Sequence, residues 1–153
     1  MAAPTVLELR RTPVAGTAFD TELRLDVPSD VAFVGPAVDL ISAQCHTGVL
    51  SFRRVRFNLR TALAEALTNA ILYGNGADPA KRVRVRVELG RQAVRIHVED
   101  DGRGFDAAAV PDPTAPERLL CEDGRGLFVM RHLVDHVTFN ARGNAVCLTL
   151  MAG

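Results

Sequence analysis

The stretch Arg82-Val83-Arg84-Val85-Arg86-Val87-Glu88-Leu89-Gly90-Arg91-Gln92-Ala93-Val94-Arg95-Ile96-His97-Val98-Glu99 decides the fold. Val83, Val85, Val87 and Leu89 alternate with charged residues, as do Val94, Ile96 and Val98. A period of two places every apolar side chain on one face of a strand. Gly90-Arg91 between the runs is a turn signal, so the two strands pair antiparallel as a hairpin. Their apolar face needs a cover and their charged face needs water.

Upstream, residues 53–73 contain neither Gly nor Pro and read as the longest helix. At about 100° per residue, Leu59, Leu63, Leu67 and Ala70 share one side, and Glu65, Asn69 and Tyr73 share the opposite one. Gly74-Asn75-Gly76 stops it. Earlier still, Glu22 to Val27 alternates as a strand. Ser29 is the expected N-cap of a helix running to about Cys45 with the stripe Val31, Val34, Val38 and Ile41, kinked or delayed by Gly35-Pro36. Downstream, a Pro-rich loop (Pro111, Pro113, Pro116) leads to Gly124-Arg125-Gly126, a short helix from about Leu127 to Asp135, and a hairpin through Val137 to Phe139 and Val146 to Leu150. Residues 1–18 form an N-terminal arm able to add an edge strand, and residues 19–153 form a single domain. The element order implies an α+β fold: a two-layer sandwich with a mostly antiparallel, mixed sheet, helices on one face and solvent on the other.

The chain has 153 residues, 48% hydrophobic and 24% charged, with 18 basic and 18 acidic residues and a formal net charge of zero. That balance removes the electrostatic case for a nucleic-acid or membrane-surface binder. Lys81 is the only lysine and follows Pro79-Ala80, so no phosphate loop ending in Lys-Ser or Lys-Thr exists. Cys45, Cys121 and Cys147 are odd in number and far apart, which fits small buried hydrophobes in a reducing, cytoplasmic setting better than disulfides or zinc. The early charges Glu8, Arg10 and Arg11 interrupt any signal-peptide core.

Three segments carry chemistry. Glu65 and Asn69 lie one helical turn apart and present a carboxylate and a carboxamide oxygen suited to Mg²⁺ and to activating a hydroxyl. Asp100-Asp101-Gly102-Arg103-Gly104 follows a strand directly: a carboxylate before a Gly-x-Gly turn can accept from an exocyclic amine such as adenine's while backbone approaches a flat ligand. A dinucleotide fingerprint fails there, because Pro111 and Pro113 truncate the following helix. An EF-hand fails on the spacing of its acids. Gly124-Arg125-Gly126-Leu127 opens a helix whose free N–H groups suit an anion. Together the three describe a nucleotide site with a loop able to close over it. Arg82, Arg84, Arg86, Arg95 and His97 read as a solvated sheet face. His132 and His136 with Asp135 lack the ligand count of a metal site.

These segments resemble the N, G1 and G2 boxes of the GHKL ATPases: Glu65 to Asn75, Asp100 to Asp106, and Gly124 to Asp135. Over about residues 20–151 the chain is most similar to the bacterial anti-sigma-factor serine kinases. The resemblance implies a Bergerat fold, with Asn69 as Mg²⁺ ligand, Glu65 as general base and Asp100 on the adenine amine. It further implies that Tyr73, Gly102, Gly104, Gly124, Gly126 and Leu127 line the ATP. Tyr73 stands where many relatives carry His. Cys121-Glu122-Asp123 stands where a basic lid residue is usual, leaving Arg118 or Arg125 to meet the γ-phosphate. The implied partners are a sigma factor, a STAS-domain anti-anti-sigma protein phosphorylated on serine, and a second copy in a homodimer, with no nucleic acid or membrane. The second reading is a non-catalytic ATP/ADP-binding module whose nucleotide state tunes a protein partner. A two-component histidine kinase is a distant third reading, since the chain has no room for separate dimerisation and phospho-acceptor helices and no His sits in a suitable upstream helix.

Overall fold

The computed structural model describes residues 6–102 and 122–152, with side chains from Leu127 onward in the second stretch. Six strands form one sheet in the order β1-β2-β3-β4-β6-β5. They are β1 (Arg10–Pro13), β2 (Phe19–Pro28), β3 (Arg82–Gly90), β4 (Ala93–Glu99), β5 (His136–Phe139) and β6 (Ala145–Met151). Every pair is antiparallel, so the sheet of the described residues is not mixed. The hairpin expected at Gly90-Arg91 is present, with Val87 opposite Ile96 and Leu89 opposite Val94.

Alternation set the register. Leu23, Leu25, Val27, Val83, Val85, Val87, Val94, Ile96, Leu148 and Leu150 are all buried on one face, under α1 (Val34–Gln44), α2 (residues 52–74) and α3 (Glu122–Leu133). Helix α2 is the spine of this layer: Leu59, Leu63 and Leu67 are fully buried, as the helical period requires. Its centre, Arg60–Asn69, is α-helical, while Arg54–Leu59 and Ala70–Gly74 are wound as π turns. Two side chains from the first π turn hold the end of α3. Asn58 Nδ2 donates to the Leu133 carbonyl at 2.9 Å, and Arg54 donates to Asp135 at 2.9 Å and to the Met151 carbonyl at 2.6 Å.

The opposite face carries a charge network rather than bare water-facing groups. Glu88 accepts from Arg95 at 3.1 Å and meets His97 Nε2 at 2.7 Å, while Arg84 pairs with Glu99 and Asp101. Burial disfavours ionised Glu88, yet the His97 hydrogen bond and the charges of Arg95 and Arg86 outweigh it and lower its pKa. Arg84, Arg86 and Arg95 are thus neutralised in place.

Three local expectations change. The cap before α1 is Asp30, whose carboxylate accepts from the Ala32 N–H at 2.9 Å and opens a 3₁₀ turn, Val31–Phe33. Ser29 is drawn away because its hydroxyl donates to the Lys81 carbonyl at 2.8 Å. Gly35-Pro36 falls in the first turn of α1, where a missing N–H costs nothing, so it causes no break. Helix α3 starts at Glu122, five residues before the expected Leu127, so Gly124 and Gly126 lie inside it. The arm contributes an edge strand, as expected, at Arg10–Pro13 against β2. Of the cysteines, Cys45 is buried with its thiol pushed up to about 12 by burial, Cys147 is half-buried on the charged face, and Cys121 lies outside the described residues. No helix among the described residues is long and apolar enough to cross a membrane.

Truncating Leu67 to Ala removes a fully buried side chain from the spine, and we expect a loss of about 2–5 kcal/mol, read from the urea midpoint at constant m-value.

Candidate functional site

Helix α2 ends where strand β4 ends, and the two are joined by one carboxamide. Asn75 is buried; its Oδ1 accepts from the Asp101 N–H at 2.8 Å, and its Nδ2 donates to Ser29 Oγ at 2.9 Å and to the Arg82 carbonyl at 3.0 Å. The junction is tight. A β-carbon at Gly74 would come within 2.2 Å of Asp100 Oδ2, and one at Gly102 within 2.0 Å of the Gly74 carbonyl oxygen. Only glycine fits at either place.

Asp100 is therefore fixed from several sides. Its backbone N–H donates to the Asn144 carbonyl at 2.9 Å, and its own carbonyl accepts from Asn144 Nδ2 at 3.0 Å. Its Oδ1 accepts from the Gly102 N–H at 2.7 Å. Burial raises its pKa, the Gly102 hydrogen bond opposes that, and the neighbouring charges of Asp101 and Glu99 add to the rise. Asp101 points outward instead, with its pKa lowered by the Arg82 N–H and the Arg84 guanidinium. The β5–β6 turn supports this corner: Asn140 Oδ1 accepts from the N–H groups of Gly143, Asn144 and Ala145, and Arg142 donates to the Gly102 carbonyl at 3.2 Å.

Beside Asp100 opens a cavity of about 450 Å³, within the range of small-molecule and cofactor sites. The expected residues Asn69, Tyr73, Asp100 and Leu127 line it together, and Gly102 packs just behind. Val98, Met130 and Val146 make much of the remaining wall apolar. Asn69 makes no hydrogen bond or ion pair to a described residue, so its carboxamide oxygen is available to a ligand or a hard cation. Glu65, one turn earlier and half-buried, does not line the cavity. Gly104 and Arg118 lie outside the described residues. Gly124, Arg125 and Gly126 fall in the first turns of α3, whose later residues Leu127 and Met130 reach the cavity. The sequence reading missed Asn75, Asn140, Asn144 and Lys81, which is a lining residue. The clusters Gly74-Asn75-Gly76 and Asn140 to Asn144 were visible only as turns.

The family model of the histidine kinase-like ATPase domain matches residues 27–150, which include both the end of α2 and the Asp100 corner. The chain belongs to the histidine kinase-like ATPase family. ATP binding is a property of that family, and the expected GHKL boxes fall within the matched region. Among individual relatives, the serine-protein kinase RsbW of Oceanobacillus iheyensis is 25% identical over 124 residues, covering 77% of this chain and 78% of the relative. The anti-sigma F factor of Geobacillus thermodenitrificans is 29% identical over 125 residues, covering 79% and 74%. The RsbW of Bacillus licheniformis is 35% identical over 86 residues, covering 52% and 54%.

At this cavity the raised pKa of Asp100 has a thermodynamic sign. A carboxyl whose folded pKa lies above its unfolded value destabilises the fold when ionised, and the penalty fades as pH falls through the folded pKa. Asp100→Asn should melt no lower than wild type at neutral pH without ligand, and any advantage should shrink on acidification. Gly102→Ala, by contrast, forces a β-carbon onto the Gly74 carbonyl and should lower the melting temperature at every pH.

Proposed function

We propose that the chain is an ATP-dependent serine-protein kinase of the anti-sigma type, which phosphorylates a small STAS-domain antagonist on serine and holds a sigma factor. The observation carrying this reading is the cavity beside Asp100. It combines a positioned carboxylate for the adenine amine, an unsatisfied Asn69 carboxamide one helical turn away from Tyr73, and Leu127 and Met130 of α3. Relatives named serine-protein kinase and anti-sigma F factor align across most of the chain.

The residues present fit a divalent cation. Asn69 offers a free oxygen donor at the cavity wall, and Mg²⁺ characteristically takes one or two protein oxygens and shares the rest with substrate phosphates. Bound there, the ion would supply charge neutralisation for the phosphates. The chain's own groups do the rest. Asp100 accepts from the base and sets its depth in the cavity, with Val98, Met130 and Val146 excluding water around it. The N–H groups opening α3 face negative charge favourably. Glu65 takes the proton of the acceptor serine hydroxyl as its oxygen bonds to the γ-phosphorus, the bond to the β–γ bridging oxygen breaks, and ADP leaves. Transfer of this kind depends on positioning and charge more than on covalent chemistry by the protein.

The non-catalytic reading keeps one specific support, the absence of Glu65 from the cavity wall. A nucleotide-binding module would bind MgATP equally well without turning it over.

Of two measurements, the first tests the nucleotide site common to both readings and the second separates them. MgATP at 100 times its Kd should add about 2.7 kcal/mol, raising the melting temperature by about 5–10 °C, and Asp100→Asn should lose most of that rise. With a STAS-domain antagonist as acceptor, Glu65→Gln should keep the rise and lower phosphate transfer by about 10²–10⁴-fold. Wild-type protein that binds nucleotide and transfers nothing to any serine acceptor would leave the module reading standing.

A further inference from the structure

From Leu40 to Ala64 the sequence contains no Asp or Glu, yet it carries Arg53, Arg54, Arg56 and Arg60. Two of these charges are neutralised internally, Arg60 by Asp39 at 2.7 Å and Arg54 by Asp135 at 2.9 Å. Arg53 and Arg56 are exposed and form no ion pair among the described residues. They sit in the opening turns of α2, where the Ser51 hydroxyl accepts from the Arg54 N–H and the helix dipole is already positive. Cations at that end of a helix are unfavourable, and two of them repel each other.

The same turns expose aromatic surface. Phe52 is 65% exposed and Phe57 is 56% exposed, although neither has a polar tip to place in water. The Arg56 guanidinium lies 5.9 Å from the Phe52 ring centre and 6.0 Å from that of Phe57, while His46 stacks on Phe52 at 5.3 Å. His46, Phe52, Arg56 and Phe57 therefore form one continuous aromatic and cationic patch, ordered by its own contacts. Arg56 and Phe57 lie on the π-wound turn Arg54–Leu59, and Phe52 immediately precedes it. The other π turn of this helix, Ala70–Gly74, borders the nucleotide cavity, and such turns recur at functional positions.

We propose that this patch is a docking surface for an acidic protein segment bearing an aliphatic or aromatic anchor. Carboxylates on the segment pair with the Arg53 and Arg56 guanidiniums, whose planar forks suit them, and the anchor covers the Phe52 and Phe57 rings. Charge complementarity selects the occupant: two cations with no ion-pair partner among the described residues, beside exposed rings, match an acidic, amphipathic partner. A nucleic acid is a poorer match, since two arginines neutralise few phosphates and the chain's net charge is zero. The patch stands at the opposite end of α2 from the cavity, so segment and nucleotide bind together. The proposal does not depend on phosphate transfer.

The test uses the full chain and three fluorescein-labelled probes: an amphipathic helical peptide with Glu on one face and Leu and Phe on the other, the same peptide with Lys for Glu, and a short single-stranded DNA. Fluorescence anisotropy should show the acidic peptide binding, and Arg53→Glu with Arg56→Glu should weaken it by about tenfold or more. Phe52→Ser with Phe57→Ser should weaken it similarly, while both variants retain the wild-type melting temperature. Should the charge reversal fail to fold, Arg53→Gln with Arg56→Gln supplies the same comparison. Absence of binding by the acidic peptide, equal binding of the basic peptide, preference for the DNA, or full binding by the folded variants would each overturn the proposal.

Discussion

The Asn75 carboxamide closes the joint between the end of α2 and the end of β4, and the position of the cavity follows from that joint. One buried side chain satisfies the Asp101 N–H, the Arg82 carbonyl and the Ser29 hydroxyl at once. These groups belong to three segments that are far apart in the chain. With them tied together, Gly74 and Gly102 cross at a distance that admits no side chain, and Asp100 is pressed into the corner between them. A buried polar group left unpaired costs about 1–3 kcal/mol, so the joint rigidifies by having no second arrangement that satisfies all its members. Asp100 is held by backbone on both sides, which is why its carboxylate can be kept in a partly desolvated place.

The parts of the fold visible in the sequence are those imposed by a single local period. Val83 to Leu89 and Val94 to Val98 had to alternate because one face meets the helices and the other meets the charge network. Leu59, Leu63 and Leu67 had to recur at helical spacing because one stripe of α2 meets the sheet. That Asp100, Asn69 and Tyr73 stand out together was legible because turn glycines and a polar helix face contrast with that background, and the structure brings the three to the wall of one cavity. Ser29 and Asp30 were not separable, since both are good caps and the choice is made by the carbonyl of Lys81, 52 residues away. Asn140 and Asn144 looked like ordinary turn residues, and their roles come from a β5–β6 hairpin that folds back onto Asp100 from the far end of the chain. The start of α3 was missed because glycines were read as its boundary, whereas they are carried within its opening turns at some cost in propensity.

A zero net charge conceals a strong division of labour. On the sheet's outer face Arg84, Arg86 and Arg95 are matched by Glu22, Glu88, Glu99 and Asp101, so the centre of that surface is charged yet neutral on the scale of a few side chains. Around the opening of α2, Arg54 and Arg60 are matched but Arg53 and Arg56 have no ion pair among the described residues. Opposite signs placed close together are screened and silent at a distance, while an unmatched pair of guanidiniums remains visible to an approaching protein at about 8–10 Å in physiological salt.

Both rims of the sheet are short: β1 and β5 have four residues each, and β1 closes on Pro13, which has no N–H to offer a neighbouring strand. An open antiparallel sheet normally invites another chain to add itself at the margin. Here the ladder at each margin gives a newcomer only a few rungs, one of them blind. Association through strand addition is thereby discouraged, and copies of the chain meeting at high concentration are steered toward contacts between side-chain surfaces, which can be tuned residue by residue, and away from the backbone pairing that leads to fibres.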